Sequence, residues 1–144
     1  MQGISMLSSI AKAYELYYLA NGVYATEFEE LDVEIPFNGS TKFVDNSGID
    51  TRSNKDWSFQ IEKTGNGTTL YAARIEGRYK GAGFIYFASN DNSSVQQKQL
   101  QCFERKDAAK FLFDEDLPHG AYCGHIMHAA FYLDAAYGRY YKLP

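Results

Sequence analysis

Residues 3–21 read GISMLSSIAKAYELYYLAN, and Gly22, Val23 and Tyr24 follow them. Apolar side chains in this stretch recur at spacings of three and four, which is the periodicity of one face of an α-helix. They form one stripe: Ile4, Leu7, Ile10, Ala11, Tyr14, Tyr17 and Tyr18. Asn21 and Gly22 both tolerate the left-handed backbone conformation that ends a helix. The stretch therefore predicts an amphipathic helix whose stripe packs on the rest of the molecule.

Leu16 and Leu19 break this pattern, because they lie among the polar positions of the same helix. Their side chains are therefore predicted to point away from the stripe. One interpretation is that a following loop covers them, since most large apolar side chains are buried. The other is that they contact another copy of the protein. The helical pattern leaves both interpretations open.

The composition favours one mildly acidic domain, because the chain has 144 residues and a formal net charge of −4. Aromatic residues make up 16% of it, with twelve Tyr and ten Phe, so rings can fill a core and still reach the surface. The negative charge gives no reason to bind nucleic acid or an anionic membrane, and neither partner is expected. No apolar run of about 18 residues occurs, so we expect a soluble chain.

The periodicity changes to two at Trp57, where Trp57, Phe59 and Ile61 alternate with polar residues, as in a half-buried strand. Residues 64–67 read Thr-Gly-Asn-Gly and predict a hairpin turn. Four strands are predicted on this basis: 57–62, 69–75, 82–88 and 95–103. Such a sheet must cover its apolar face, and the helix stripe supplies the cover. The pattern predicts an α+β fold, a long N-terminal helix packed on a meander of about four antiparallel strands.

We expect a single domain spanning residues 1–144. Its predicted parts are the helix at 1–22, a connecting loop region at 23–56, the sheet at 57–104, and a C-terminal loop and tail at 105–144, ending in an edge strand at 140–143. The polar stretch 45–55 predicts an exposed loop. Its oxygen-bearing side chains are conceivable calcium ligands, but their spacing matches no calcium loop. They are Asp45, Asn46, Asp50, Asn54 and Asp56.

Cys102 and Cys123 are the two cysteines of the chain. An even pair in a small, loop-rich domain suggests a disulfide formed in an oxidising compartment. Two unpaired, buried thiols are the alternative. A disulfide that closes a loop of this length would stabilise the fold by roughly 3 kcal/mol.

The sequence contains few residue patterns that are typical of metal binding or catalysis. A zinc set is conceivable from His119, Cys123, His125 and His128. Its spacing is not that of a zinc finger, and Cys123 is better used in pairing with Cys102, so no metal is expected. No nucleophile elbow or phosphate-binding loop occurs, and an enzyme would need a free Cys123 beside His125. We therefore assign no catalytic residue and no cofactor. The many tyrosines leave carbohydrate stacking as a weak alternative, since no concave platform can be located.

Residues 9–26, SIAKAYELYYLANGVYAT, resemble the second half of the long N-terminal helix of type IV pilins and type II secretion pseudopilins. In that family the helix ends in a tyrosine-rich turn, then Asn-Gly and an aromatic residue. Residues 32–36, DVEIP, are similar to the stretch that often follows, and residues 140–143, YYKL, resemble the closing strand of some members. The family's cleavage site, early Glu and membrane-spanning segment are absent, which implies that the first half of the helix is missing.

The resemblance implies a structural subunit of a bacterial pilus-like filament or secretion pseudopilus, without enzymatic activity. The missing half-helix would anchor the precursor in the inner membrane, contact the assembly machinery, and pack against other copies and related pilin subunits. Leu16 and Leu19 would contact the next subunit, and Cys102 would pair with Cys123 to close a C-terminal loop. The location implied is a surface filament or the periplasm, and the head alone should be monomeric. The alternative is a secreted binding or adhesive domain with no filament role.

Overall fold

The computed structural model describes residues 2–31, 43–44, 49–64, 67–105, 117–135 and 138–144. Helix α1 spans Gln2–Asn21, and a short 3-10 helix spans Phe28–Glu30. The strands are β1 (Phe43–Val44), β2 (Ile49–Ser53), β3 (Trp57–Thr64), β4 (Gly67–Arg74), β5 (Ala82–Asn90), β6 (Leu100–Arg105), β7 (Ala130–Asp134) and β8 (Gly138–Lys142). They form one antiparallel sheet in the order β1-β2-β3-β4-β5-β6-β8-β7. The predicted α+β fold, a helix on an antiparallel sheet, is confirmed.

The helix stripe faces β4 and β5. Its centre is fully buried, at Leu7, Ile10, Ala11 and Tyr14, while Ile4 and Tyr17 are half-buried. The prediction was wrong at Tyr18, whose side chain is 41% exposed. The reason is that Tyr24 returns from the loop after the helix and stacks on Tyr18, with ring centroids 4.4 Å apart. The fully buried part of the helix stripe therefore ends at Tyr14, whose hydroxyl donates to the carbonyl of Ala25 at 2.9 Å.

The predicted meander is present as β3 to β6, but its fourth strand was predicted too early: β6 begins at Leu100, and residues 95–99 belong to the connection before it. Trp57, Phe59 and Ile61 are buried in the cluster under the helix, as their alternation predicts. Thr64 pairs with Gly67, so β3 and β4 form the predicted hairpin; its residues 65–66 lie outside the described part of the chain. Residues 82–88 of β5 are buried throughout, because apolar side chains cover both faces of this strand. The second cluster lies on the face away from the helix and comprises Ile85, Phe87, Val95, Phe103 and Tyr140.

The sheet is larger than the predicted four strands. β2 lies inside the polar stretch expected to be an exposed loop, and its Asp50 is fully buried. Its carboxylate accepts a hydrogen bond from the backbone nitrogen of Phe28 at 2.8 Å, so a distant partner makes the burial of a charged residue possible. The C-terminal tail adds β7 and β8. Residues 140–143 are not an edge strand, because β8 pairs with both β6 and β7.

In the described ranges, no helix is long and apolar enough to cross a bilayer. The disulfide described below indicates folding in an oxidising, extracytoplasmic compartment, because such bonds are rare in the reducing cytosol.

Candidate functional site at the end of the helix

Three large apolar side chains at the end of α1 are exposed to solvent. The exposed fractions are 57% for Leu16, 79% for Leu19 and 54% for Val23, and these three residues are termed here the helix-end patch. Leu16 and Leu19 are three positions apart, so they are neighbours on one helix face. Gly22 ends the helix with a φ of 76°, and Val23 follows it directly. The described part of the loop that follows, residues 22–31, leaves both leucines exposed.

A polar cluster around Glu15 fixes one side of the helix end to the sheet. The ammonium of Lys98 lies 3.0 Å from both carboxylate oxygens of Glu15 and 2.7 Å from the hydroxyl of Tyr24. Tyr86 on β5 donates its hydroxyl to Glu15 at 3.0 Å. Burial, together with the hydrogen bond and charge of Glu15, raises the pKa of Tyr86 to about 12. The helix end is thus joined to β5 and to the β5–β6 connection.

A second polar cluster ties the following loop back to the helix. The hydroxyl of Tyr17 donates to the carboxylate of Glu30 at 2.8 Å. The same carboxylate accepts the backbone N–H groups of Thr26 at 2.9 Å and of Glu27 at 3.1 Å. The bond from Thr26 and that from Tyr17 lower the pKa of Glu30 below its ordinary value. The loop is therefore folded against α1, and the helix-end patch has a defined border.

Strand β2 supports the same loop from the sheet side. Arg52 lies 3.2 Å from Asp50 and 3.1 Å from Glu29, so it links the strand to the 3-10 helix. Asp50 is already engaged by Phe28 and Arg52, which removes it from the conceivable calcium set. Asn54 is engaged as well, because its side-chain oxygen accepts the backbone N–H groups of Asp56 and Trp57, each at 2.9 Å.

Asp45 and Asn46, the other two residues weighed for calcium with Asp56, lie outside the described residues. In the part of the chain that the structure describes, no group of three or more His, Cys, Asp or Glu side chains is arranged to hold a metal ion.

The second feature of interest is the turn of residues 117–127, which a disulfide closes. Cys102 on β6 and Cys123 are bonded with their Cα atoms 5.7 Å apart, which confirms the predicted pairing. Cys123 is therefore neither a zinc ligand nor a nucleophile, because a disulfide sulfur offers no thiolate. His119 and His125 both lie on this turn, whereas His128 follows it in a left-handed conformation with a φ of 55°.

Glu104 holds the same turn from inside, and sequence reasoning missed it. Its fully buried carboxylate accepts the backbone N–H groups of Gly120, Tyr122 and Cys123, each at 2.8 Å. The hydroxyl of Tyr141 and the guanidinium of Arg139 complete the set, at 2.9 and 3.1 Å.

Burial alone would raise the pKa of Glu104, but these donors outweigh it, and the pKa is lowered. The sequence held one clue to this role of Glu104. It lies two residues after Cys102 on β6, so both side chains are on the same inward face of the strand.

Comparison of the chain with protein-family models, with curated proteins and with solved structures finds no match to any of the three.

Proposed function

We propose that this chain is the head domain of a structural subunit of a bacterial type IV pilus-like filament or secretion pseudopilus. Its work would be assembly, not chemistry. The single observation that carries the proposal is the helix-end patch. Leu16 and Leu19 are exposed on a helix whose opposite face is core, so the helix has one surface for its own sheet and another for a neighbour.

Two further observations support this proposal. Residues 9–26 resemble the end of the pilin helix, and the fold into which they enter, a helix on an antiparallel sheet with a C-terminal disulfide, is compatible with that family. The Glu15 and Glu30 clusters hold the helix end at fixed points, which lowers the entropy lost when a rigid surface binds. Residues 32–36, which also carry the resemblance, lie outside the described residues.

The partners proposed are other copies of this chain and related subunits. An exposed patch that meets a different surface on the next copy gives a head-to-tail contact, and such contacts build open helical filaments when they do not close into rings. An apolar segment upstream of the described helix would supply the main polymerising contact and the membrane anchor of the precursor. The alternative, a secreted binding domain without a filament role, predicts instead a cleaved signal peptide with a shorter apolar core of about 7–15 residues and no early Glu.

The gene itself separates these two hypotheses. Codons upstream of residue 1 should encode an apolar stretch of about twenty residues that begins with Phe and carries an early Glu. The filament test then uses the full precursor with the double change Leu16→Ser and Leu19→Ser. Both side chains are exposed, so the fold should lose only about 1 kcal/mol through lower helix propensity.

We expect far fewer filaments from the double variant, with the head domain still folded and its disulfide intact. The matched control is Lys55→Ser, an exposed position between β2 and β3 and away from the helix-end patch, which should assemble normally. Normal filament numbers from the Leu16→Ser, Leu19→Ser precursor would reject the contact role of the patch. An upstream sequence without the apolar stretch would reject the filament hypothesis as a whole.

A further inference from the structure

An open cavity of about 400 Å³ lies between the β4–β5 turn and the turn of residues 117–127. Arg78 and Tyr79 line it from the first turn, and His119 and His125 line it from the second. Leu117, Pro118 and Ala121 add apolar surface. A volume of this size falls in the range of small-molecule sites, which are commonly apolar with a few convergent polar groups.

The ionisable groups of this cavity favour an anion. Arg78 carries a permanent positive charge, and His119 and His125 are of the type that gains one between about pH 5 and 8. Among the described residues that line the cavity, none is Asp or Glu. The adjoining β4–β5 turn also holds one residue of each sign, Glu76 and Lys80.

His119 is oriented by a neighbouring network. The hydroxyl of Tyr141 donates to Glu104 at 2.9 Å and lies 3.1 Å from Nδ1 of His119. Because that hydroxyl has a single proton, Nδ1 is the donor in its bond with Tyr141. The other ring nitrogen, Nε2, then donates a hydrogen bond only when the imidazole is protonated. Arg139 is the further charged group of this network, and it is paired with Glu104 at 3.1 Å.

The walls of the cavity are fixed before any ligand arrives. The Cys102–Cys123 bond and the three backbone bonds to Glu104 hold the turn that carries both histidines. Tyr79 packs on Tyr122 with ring centroids 5.4 Å apart. The Arg78 guanidinium lies over the Tyr79 ring, 5.5 Å from its centroid, so this contact holds the cation at the edge of the cavity. A preformed site loses less entropy on binding.

We propose that this cavity binds a carboxylate-bearing sugar, of the uronic acid type found in acidic polysaccharides. Arg78, His119 and His125 would hold the carboxylate, because guanidinium and imidazolium groups form charge-assisted hydrogen bonds with it. Tyr79 and Pro118 would contact the apolar face of the sugar ring. The tyrosine-rich composition suggested carbohydrate stacking without a concave place for it, and this cavity supplies that place. The inference goes beyond filament assembly and does not depend on it.

The test is a titration of the isotope-labelled protein followed by the NMR shifts of backbone amides. Three probes are compared: glucuronate, glucose as the same ring without charge, and acetate as the carboxylate without a ring. We expect glucuronate to shift the amides of Arg78, Gly120 and Ala121, with at least about ten-fold weaker binding of the other two. Acetate as effective as glucuronate, glucose as effective as glucuronate, or no shift with glucuronate would each overturn the proposal.

Variants locate the site. Arg78→Gln should weaken glucuronate binding about ten-fold, the effect of losing one charge-assisted hydrogen bond, while the melting temperature stays the same because Arg78 is exposed. The matched control is Lys63→Gln, which removes the same charge at the opposite end of the sheet and should bind normally. Equal affinities of the Arg78→Gln and Lys63→Gln proteins would overturn the assignment.

A second variant tests the imidazole side of the site. His125→Gln should weaken glucuronate binding about three- to ten-fold, because it removes a group that hydrogen-bonds the carboxylate. An unchanged affinity of the His125→Gln protein would overturn the assignment of His125 to the carboxylate site.

Discussion

The carboxylate of Glu104 accepts a hydrogen bond from the backbone nitrogen of Cys123 at 2.8 Å, and the sulfur of the same cysteine is bonded to Cys102. Cys102 and Glu104 lie on the same face of β6, so one strand holds one turn in two ways. The covalent bond limits how far the unfolded chain can spread. The carboxylate satisfies backbone donors that would otherwise be buried without partners. The two devices are independent, and each should hold part of the turn when the other is removed.

The disulfide is tested by the double change Cys102→Ser and Cys123→Ser. We expect a loss of about 3 kcal/mol in the free energy of unfolding, since the bond closes a loop with a sequence separation of 21. The protein should remain folded, because Glu104 still binds the turn. Urea unfolding of the variant and of the oxidised parent measures the difference. Free thiols in the unreduced parent, or equal stability of the two proteins, would contradict this prediction.

The charge of Glu104 should make stability depend on pH. Its pKa is lowered in the folded protein from an ordinary value of 4.5, so the unfolded chain binds a proton more readily. The stabilisation is therefore complete above about pH 5 and is lost as the pH falls below about 4, through the lowered pKa. Glu104→Gln leaves Arg139 without its buried partner and should destabilise by about 3–5 kcal/mol at neutral pH.

The measurement is urea unfolding of both proteins at about pH 7 and about pH 3, and the difference between them should shrink in acid. Glu76→Gln is the control, because Glu76 is exposed on a turn and its change should stay within about 0.5 kcal/mol. A deficit of the Glu104→Gln protein that is the same at both pH values would show that its charge does not stabilise the fold.

The features that the sequence predicts correctly are those with local causes. Leu7 and Ile10 follow the helical period and Phe59 the strand period, and all three are fully buried. β2 was missed because Asp50 is buried by a partner far along the chain, the backbone of Phe28, which no local pattern reports. Tyr18 fits the helical spacing of the stripe, but its ring stacks on Tyr24 and stays 41% exposed.

The two candidate sites also differ in how far the sequence predicts them. Leu16 and Leu19 were found because they break the pattern of a single helix, and both are exposed. The cavity depends on the meeting of Arg78 and His119, which lie on different turns, and only the pairing of strands brings those turns together. Glu104 was missed for the same reason. The backbone N–H groups that donate to it begin at Gly120, 16 residues further along the chain.

Tyr14 and Tyr18, two of the three tyrosines of the helix stripe, should differ strongly in their effect on stability. Tyr14 is fully buried, so Tyr14→Ala should destabilise by about 3 kcal/mol or more through lost contacts and the cavity left behind. Tyr18→Ala should cost less, about 1 kcal/mol, because its ring is 41% exposed and loses mainly the stacking on Tyr24.

Tyr14→Phe separates the effect of the ring from that of the hydroxyl. It should cost about 1–2 kcal/mol, because it removes the hydrogen bonds of that hydroxyl with Ala25 and with the side chain of Thr68. Thermal and urea unfolding of the three variants provide the measurement. Similar losses for Tyr14→Ala and Tyr18→Ala would place both rings in one environment and contradict the described packing.

The start of the helix offers a test in which two effects have opposite signs. Alanine is a better helix former than glycine, by up to about 1 kcal/mol, so propensity alone predicts that Gly3→Ala stabilises. A Cβ atom at Gly3, however, would lie 2.4 Å from Cη2 of Trp57 and 2.5 Å from Cζ2. The ring cannot move aside freely, since it is buried between Phe84, with centroids 6.0 Å apart, and the guanidinium of Arg74, 5.3 Å away.

We therefore expect Gly3→Ala to lower the free energy of unfolding by about 1–3 kcal/mol, the usual range for overpacking. Ser8→Ala, at an exposed position of the same helix, isolates the propensity effect and should be neutral or slightly stabilising. Trp57→Phe creates room, so Gly3→Ala should do less harm in that background, and a double-mutant cycle measures the coupling. A gain in stability from Gly3→Ala alone would mean that the first turn of α1 does not rest on Trp57.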